Sequence, residues 1–445
     1  MSQAVGPRGP RIYNLFPLLV GAIADWMTHL PRIQAMGFNW VYVNPFHFPG
    51  FSGSLYAVKD YYRLNPTFRG AGYESDDDLI QDFTTAAAAH GMGVMMDLVI
   101  NHTSKDSVLA QQHPEFFMRD EAGELVSPFA VDQDDPTKKT VWGDLAEIDF
   151  SERPARDAMI ATWEDLVRHY VRLGVRGFRC DAAYKVPADV WQRVIAAAHA
   201  ENPDVLFFAE TLGCRLDEVE ALRPARFDYI FNSAKWWDFG APWLLEQYDQ
   251  FRSIAPSIAF PESHDTPRLA GEMIAQGITD TRSIQAAYKQ RYLFTAVFSA
   301  GVMMPIGFEY GFGTPVNVVT TRPEDWEEPR FDLSDFIGET NRLKAELSVL
   351  NQEGPMRRIA SDSGAFGLLR QNDAGAEWVL IVINPDDNGA WSLETDGSDP
   401  VAALAVKGQE VTPGRARGAP ELDGSGGLAL KAGEIRLFAG TSSVE

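Results

Sequence analysis

Eight short apolar runs alternate with helix-length segments up to about residue 354, and that order leaves few folds open to the chain. The runs fall at 12–20 (IYNLFPLLV), 40–46 (WVYVNPF), 94–100 (VMMDLVI), 175–181 (VRGFRCD), 205–210, 227–232, 257–260 and 303–307. Most are continuously apolar rather than alternating, the pattern of strands buried on both faces of a parallel sheet. Helical segments sit between them. The first ends at Gly37, and the second opens at 75, where Ser75 and Asp78 have the spacing of a capping box. Others are expected over 154–173, 189–200, 281–297 and 333–351. Eight strands interleaved with helices predict an α/β fold of the (β/α)8 TIM-barrel type over an open doubly wound sheet. No G-x-G-x-x-G follows the first strand, which counts against dinucleotide binding.

The alternation breaks twice. Residues 103–149 are polar, rich in Asp, Gln and Pro, and without a period. They read as an insertion after the third strand. After 354 the chain turns to short alternating runs (FGLLRQ, EWVLIVINP, WSLET, LALKAGEIRLFAG) punctuated by Asp, Asn and Gly. That texture predicts a C-terminal antiparallel β domain. The expected division is barrel over 1–102 and 151–354, insertion over 103–150, and a C-terminal β-sandwich over 355–445. The uncharged stretch 292–308 (YLFTAVFSAGVMMPIGF) is short for a membrane span and is broken by Gly301 and Pro305. A buried helix running into a buried strand explains it.

With 39 basic and 62 acidic side chains, the formal charge is −23. Such a surface is unsuited to nucleic acid or to an anionic membrane, both of which are bound through Lys and Arg. It places no constraint on a neutral ligand. The two cysteines, Cys180 and Cys214, exclude a disulfide scaffold. Together with an N-terminal stretch lacking the features of a secretory signal, they point to the cytoplasm. A monomer or homodimer is expected.

In a (β/α)8 barrel the reactive groups sit at the C-terminal strand ends. Here the third strand ends Asp97-Leu98-Val99-Ile100-Asn101-His102, the fourth Arg179-Cys180-Asp181, the fifth at Glu210, and the seventh Glu262-Ser263-His264-Asp265. Each residue has an ordinary reading alone. A strand-end Asp caps a helix, Arg179 and Asp181 form an ion pair two residues apart, Cys180 packs in the core, and His102 and His264 are structural. Converging on one rim, several acids raise each other's pKa and are costly unless used. Retaining glycoside cleavage needs such a set: one ionised carboxylate as nucleophile and one protonated carboxyl as acid.

These four strand ends resemble the four signature regions of the α-amylase family, glycoside hydrolase family 13: DLVINH (97–102), GFRCDAAYKVP (177–187), FFAE (207–210) and FPESHD (260–265). Order and spacing agree, and the resemblance takes in the insertion, domain B in that family, and the C-terminal β domain. It implies Asp181 as the nucleophile that forms a β-glycosyl-aspartate, Glu210 as the general acid/base, and Asp265 as the group holding sugar hydroxyls. It further implies that Arg179 keeps Asp181 ionised, that His102 and His264 donate to the sugar, and that Tyr56 stacks on it, with Asp60 the acid four residues later. Asn101 matches a calcium ligand of many members, which makes calcium an option although no cofactor is required. Asp132, Asp134 and Asp135 are its candidate carboxylate partners.

Departures fall at Pro261 and Ser263, where Val and Asn are commoner, and at Tyr184 and Lys185, where many amylases place Lys and His on the acceptor side. Lys185 is therefore a candidate binding residue. Four further segments (YNLFPLLVG, NPFHFPGFSGSLYAVKDYY, ESHDTPRLA and RPEDWEEPRFDLSDFIGETNRLK) are similar to bacterial enzymes that transfer maltosyl units from maltose 1-phosphate to α-glucan. The expected activity is cleavage of α-glucosidic bonds in α-glucans or oligosaccharides by hydrolysis or transglycosylation. The alternatives are maltosyl transfer from maltose 1-phosphate and a catalytically silent carbohydrate-binding protein. For the phosphate donor, Lys59, Lys185 and Arg322 are the candidate cations. A metal hydrolase would need a ligand motif such as H-E-x-x-H, which is absent. Trp236-Trp237 is a candidate sugar platform, with at least one of the pair expected in the core.

Overall fold

The computed structural model describes residues 9–70, 75–131, 137–361, 363–386 and 389–441. Eight parallel strands close into a barrel: β1 (Arg11–Leu15), β2 (Trp40–Val43), β3 (Gly93–Leu98), β4 (Gly177–Cys180), β5 (Leu206–Ala209), β6 (Tyr229–Phe231), β7 (Ser257–Ala259) and β8 (Gly301–Pro305). Each pairs with its sequence neighbour, and β8 closes on β1. Helices fill every crossover, among them Ile23–Ala35, Asp76–Ala89, Arg156–Arg172, Ala188–Glu201 and Thr281–Phe298. As expected, the Ser75 hydroxyl accepts from the Asp78 N–H at the head of Asp76–Ala89.

Two elements depart from the sequence reading by more than three residues at an end. The run 12–20 is not one strand, because β1 ends at Leu15 and Pro17–Val20 is a helical turn. Pro17 supports the change, since a proline at the first helical position lacks only an N–H that has no helical partner. The expected helix over 333–351 stops at Glu346, and a 3-10 turn, Ser348–Leu350, follows. The stretch 292–308 divides as anticipated, with a buried helix end at Phe298 leading into β8. Among the described residues no helix is long and apolar enough to cross a membrane.

Strand period two builds the barrel interior in layers. Ile12, Tyr42, Met95, Phe208, Phe231, Ile258 and Met303 form a buried apolar plug. At the base, Trp40 fills the space that side chains on β4 would take: a Cβ at Gly177 would lie 2.9 Å from its ring. Two residues further along β1 to β5 the inward positions turn polar. Asn14 follows Ile12, Asn44 follows Tyr42, Asp97 follows Met95, Arg179 follows Gly177 and Glu210 follows Phe208. The alternation that packs the plug thereby lifts a polar layer onto its upper surface.

Between β3 and the helix Arg156–Arg172 the chain has little regular structure. His102–Ser104 pairs with Leu145–Glu147, and Phe129–Val131 with Lys139–Val141. Beyond the barrel, an antiparallel sheet runs in the order Met356–Ala360, Phe366–Gln371, Trp378–Ile383, Ile435–Gly440, Gln409–Glu410. A buried arginine ties it to the barrel, and a buried lysine of the helix Ser334–Glu346 joins it at the end of the helix Thr281–Phe298. Arg370, from the second of these strands, donates to the carbonyls of Val297 (2.9 Å) and Phe298 (2.6 Å). Lys344 Nζ donates to the carbonyls of Ala296, Ser299 and Leu350 at 2.8, 2.7 and 2.7 Å. The last carbonyls of Thr281–Phe298 have no helical N–H partner, and the two cations meet them.

Candidate active site

Register fixes the centre of the site. Arg179 on β4 lies opposite Asp97 on β3. One guanidinium nitrogen, Nη1, donates to both Asp97 oxygens (2.9 and 3.1 Å) and to Asp181 Oδ1 (2.6 Å). The other, Nη2, is 3.7 Å from Glu210 Oε2. One buried cation is thus shared by three carboxylates from three adjacent strands. Asp97 is fully buried, and its Oδ2 also accepts from the hydroxyls of Tyr42 (2.5 Å) and Tyr56 (2.7 Å). Burial pushes the Asp97 carboxyl up, and Arg179 opposes that rise.

Glu210 is held differently. Its two oxygens accept backbone N–H groups, Oε2 from Ala182 (2.8 Å) and Oε1 from Leu212 (2.5 Å). Burial raises its pKa to about 7, against the opposing pull of Arg179 and with Asp181 adding to the rise. Asp181, by contrast, has the direct guanidinium contact. Two carboxyls in one pocket are thereby given different environments, the arrangement that separates an acid from a nucleophile. Ala182, directly after Asp181, adopts the left-handed conformation (φ 41°), which turns its N–H onto Glu210.

Opposite this pair, His264 Nε2 lies 2.7 Å from the Tyr56 hydroxyl and 2.9 Å from Asp265 Oδ2. The Tyr56 and His264 rings are parallel within 6°. Asp265 stands half-exposed at the rim. Surrounding protein atoms raise its pKa, but His264 and, more weakly, Arg179 outweigh them and bring it to about 2. A cleft opens between these groups, bordered by Arg179, Glu210, Leu212, Phe260, His264 and Asp265. Among the described residues Nδ1 of His264, which borders the cleft, has no hydrogen-bond partner, and buried His102 lies near enough to Asp181 to feel its charge. Buried polar groups left unmatched beside a cleft are costly unless something that enters it binds them.

A family model described as the glucanotransferase domain of glycogen debranching enzyme matches residues 10–133. An α-1,4-glucan:maltose-1-phosphate maltosyltransferase of Burkholderia pseudomallei is 26% identical over 386 residues, 85% of this chain and 33% of that protein. The enzyme of the same name from Mycolicibacterium smegmatis is 29% identical over 430 residues, 88% of this chain and 58% of that protein. An α-amylase from Lactobacillus plantarum superposes with a TM-score of 0.74 at 21% identity, covering 98% of this chain and 99% of that one. The α-amylase of Geobacillus thermoleovorans gives 0.71 at 17% identity, with 97% and 98% covered. The chain has the fold of these α-amylases and is similar in sequence to the maltosyltransferases over most of its length. It spans between 28% and 59% of the length of the maltosyltransferases it matches.

The residues singled out from the sequence separate into two groups. Arg179, Asp181, Glu210, His264, Asp265 and Tyr56 come together through the contacts above. Asp60 does not join them. It lies on the hairpin strand Val58–Leu64, where its carboxylate accepts from the Tyr62 N–H (3.0 Å). The family resemblance pointed to it, and in the fold it sits on the hairpin strand while Tyr56 lies in the loop before that strand. Lys185 is exposed, with Nζ 5.4 Å from the Tyr184 ring centroid and close enough to Glu147 of the insertion to oppose the rise in that carboxyl's pKa that burial causes. Glu262 is buried and paired with Arg268 at 2.8 Å, a structural role. Among the described residues, the Oδ1 of buried Asn101 has no hydrogen-bond partner. Its candidate calcium partners Asp132, Asp134 and Asp135 lie outside the described residues. Among the described residues no group of three or more His, Cys, Asp or Glu side chains is placed to hold a metal ion.

Three contributors were not singled out from the sequence: Asn14, Tyr42 and Asn44. Asn44 Nδ2 donates to the hydroxyls of Tyr42 (3.2 Å) and Tyr56 (3.1 Å), and its Oδ1 accepts from Asn14 Nδ2 (2.8 Å). With those phenol oxygens occupied as acceptors, their hydrogens turn to Asp97. The signal was available in the period, since both asparagines are the inward residues just above the apolar plug. Asn44→Leu is expected to lower kcat/KM on maltohexaose about tenfold, the loss of roughly one buried hydrogen bond's worth of positioning. Steady-state kinetics check this, and unchanged kinetics would refute the orienting role.

Proposed function

We propose that this chain is a retaining enzyme acting on α-glucosidic bonds of α-glucans or oligosaccharides, by hydrolysis or transglycosylation. The observation that carries the reading is the unequal treatment of two neighbouring carboxyls. Asp181 is bonded to Arg179, and Glu210 is raised to about 7. In the first step Asp181 attacks the anomeric carbon, the glycosidic C–O bond breaks, and the Glu210 proton passes to the leaving oxygen. A β-glycosyl ester of Asp181 results. In the second step the Glu210 carboxylate takes a proton from water or a sugar hydroxyl, whose oxygen attacks the anomeric carbon and frees Asp181. Two inversions give net retention. His102, His264 and Asp265 hold the sugar hydroxyls. Glu210 must be protonated to act as acid, so kcat/KM is expected to be sustained below about pH 7 and to fall above it. A profile with no alkaline limb between pH 6 and 8 would contradict the assignment.

A second reading, maltosyl transfer from maltose 1-phosphate to α-glucan, is favoured by the names of the relatives matched over most of this chain. Of the cations considered for a phosphate, Lys59 is paired with Asp106 at 2.7 Å. Arg322 donates to the carbonyls of Val319 and Thr321. Lys185 is the best placed of the three, beside Tyr184, whose phenol is raised by burial and by Glu210. Product analysis separates the readings. The protein is incubated with maltose 1-phosphate plus maltohexaose, and separately with maltohexaose, sucrose, trehalose and nitrophenyl α-glucoside, with Asp181→Asn as control. Phosphate release with maltosyl-extended products establishes the transferase. Reducing sugar from the phosphate-free substrates, absent in the variant, establishes a hydrolase. No turnover of any of them would support the silent, carbohydrate-binding alternative.

A further inference from the structure

The Trp236-Trp237 pair is split between core and surface. Trp237 is fully buried, stacked on Phe294 with ring centroids 5.3 Å apart, and its indole N–H donates to the Ala241 carbonyl (2.7 Å). Trp236 is 50% exposed on the turn that follows β6, at the C-terminal rim of the barrel. That turn is anchored on several sides. Buried Asn232 accepts from the Ala234 N–H (3.1 Å) and donates to the hydroxyls of Ser257 (2.9 Å) and Ser299 (2.7 Å). Lys235 is paired with Glu272 at 3.1 Å. The Ser233 N–H donates to Gln247 (3.0 Å). A large apolar ring is therefore held in water by a rigid support, although a flexible turn could have folded it away.

Its location gives the ring a use. Trp236 meets Phe260 at right angles, 6.0 Å between centroids, and Phe260 borders the cleft with Glu210, Leu212 and Asp265. Among the described residues Phe260 is the one aromatic ring it contacts, so an indole face stays open beside the mouth of the cleft. An indole face suits the C–H face of a pyranose, which is apolar, ring-shaped and rimmed by hydroxyls. β6 lies between the strands carrying Glu210 and Asp265, so a glucan chain leaving the cleft over this rim crosses Trp236.

We propose that Trp236 is a stacking platform for a glucose unit of an α-glucan chain outside the unit being cleaved. The proposal rests on the α-glucan reading above and adds a preference for longer chains. In the Asp181→Asn background, calorimetry with maltohexaose is expected to show about tenfold weaker binding on Trp236→Ala, and near-parental binding on Trp236→Tyr, which keeps an aromatic face. In the otherwise wild-type enzyme, Trp236→Ala is expected to raise the KM for maltohexaose about tenfold relative to that for nitrophenyl α-glucoside. Equal affinity of Trp236→Ala and its parent for maltohexaose would overturn the platform alone. Absence of maltohexaose binding by both would overturn it together with the α-glucan reading.

Discussion

Glu210→Ala is expected to lower turnover of maltohexaose by about 10² to 10⁴, the usual contribution of a positioned general acid. The loss should depend on the leaving group. A nitrophenolate departs with little protonation, so formation of the glycosyl-enzyme from nitrophenyl α-glucoside should be largely spared. The second step still lacks its base, so the intermediate should accumulate and appear as a burst of nitrophenol. Azide, which needs no deprotonation, should then restore steady turnover. An equal loss on both substrates with no rescue would show that Glu210 is not the acid/base. The alkaline limb near pH 7 should disappear with the side chain. The same ionisation bears on stability. Glu210 has a folded-state pKa above its ordinary value, so its proton favours the folded protein, and that contribution is lost as pH rises through about 7.

Lys344→Met is expected to cost about 3–5 kcal/mol of stability, a large part of what a folded protein has. Methionine has similar length and packs well, but it leaves the carbonyls of Ala296, Ser299 and Leu350 buried without a donor. Burial disfavours the Lys344 ammonium, and removing it recovers part of that penalty. The net is still a loss, because the helix end is capped at these positions only by Lys344 and Arg370 among the described residues. Urea unfolding followed by tryptophan fluorescence reads the effect. A midpoint within error of the parent would mean that the carbonyls find other partners. Kinetic parameters at low temperature should be little changed, since Lys344 lies away from the carboxylate cluster.

Much of the barrel was legible because its strands are apolar on both faces, which few other elements share. All eight runs lie on barrel strands, with ends shifted by a few residues. The errors are local. Pro17 turned part of an apolar run into helix, a change that hydrophobicity alone does not register. At the strand ends, Arg179, Asp181, Glu210, His264 and Asp265 stood out because charged residues beside such runs are rare. Asn14 and Asn44 did not, because each sits within an apolar run and a neutral amide there carries no charge to mark it. Asp60, taken from the family resemblance, lies on the hairpin strand Val58–Leu64 and makes none of the contacts that join Tyr56 to the cluster. Lys344 and Arg370 were unreadable for another reason. Their partners are backbone carbonyls of residues distant in sequence, and a carbonyl leaves no mark on the residue type that carries it.

The left-handed backbone at Ala182 narrows what this rim can become. Non-glycine residues pay about 1 kcal/mol or more to hold that conformation, and asparagine and aspartate bear it best. The next residue is held as well, its N–H donating to the Glu210 carbonyl at 3.0 Å. Any descendant of this chain that keeps both carboxyls therefore inherits a short alphabet at position 182: glycine, alanine, asparagine and aspartate. Diversification of substrate choice is pushed outward to Tyr184 and Lys185, where the backbone has left the left-handed region and side chains are free to vary.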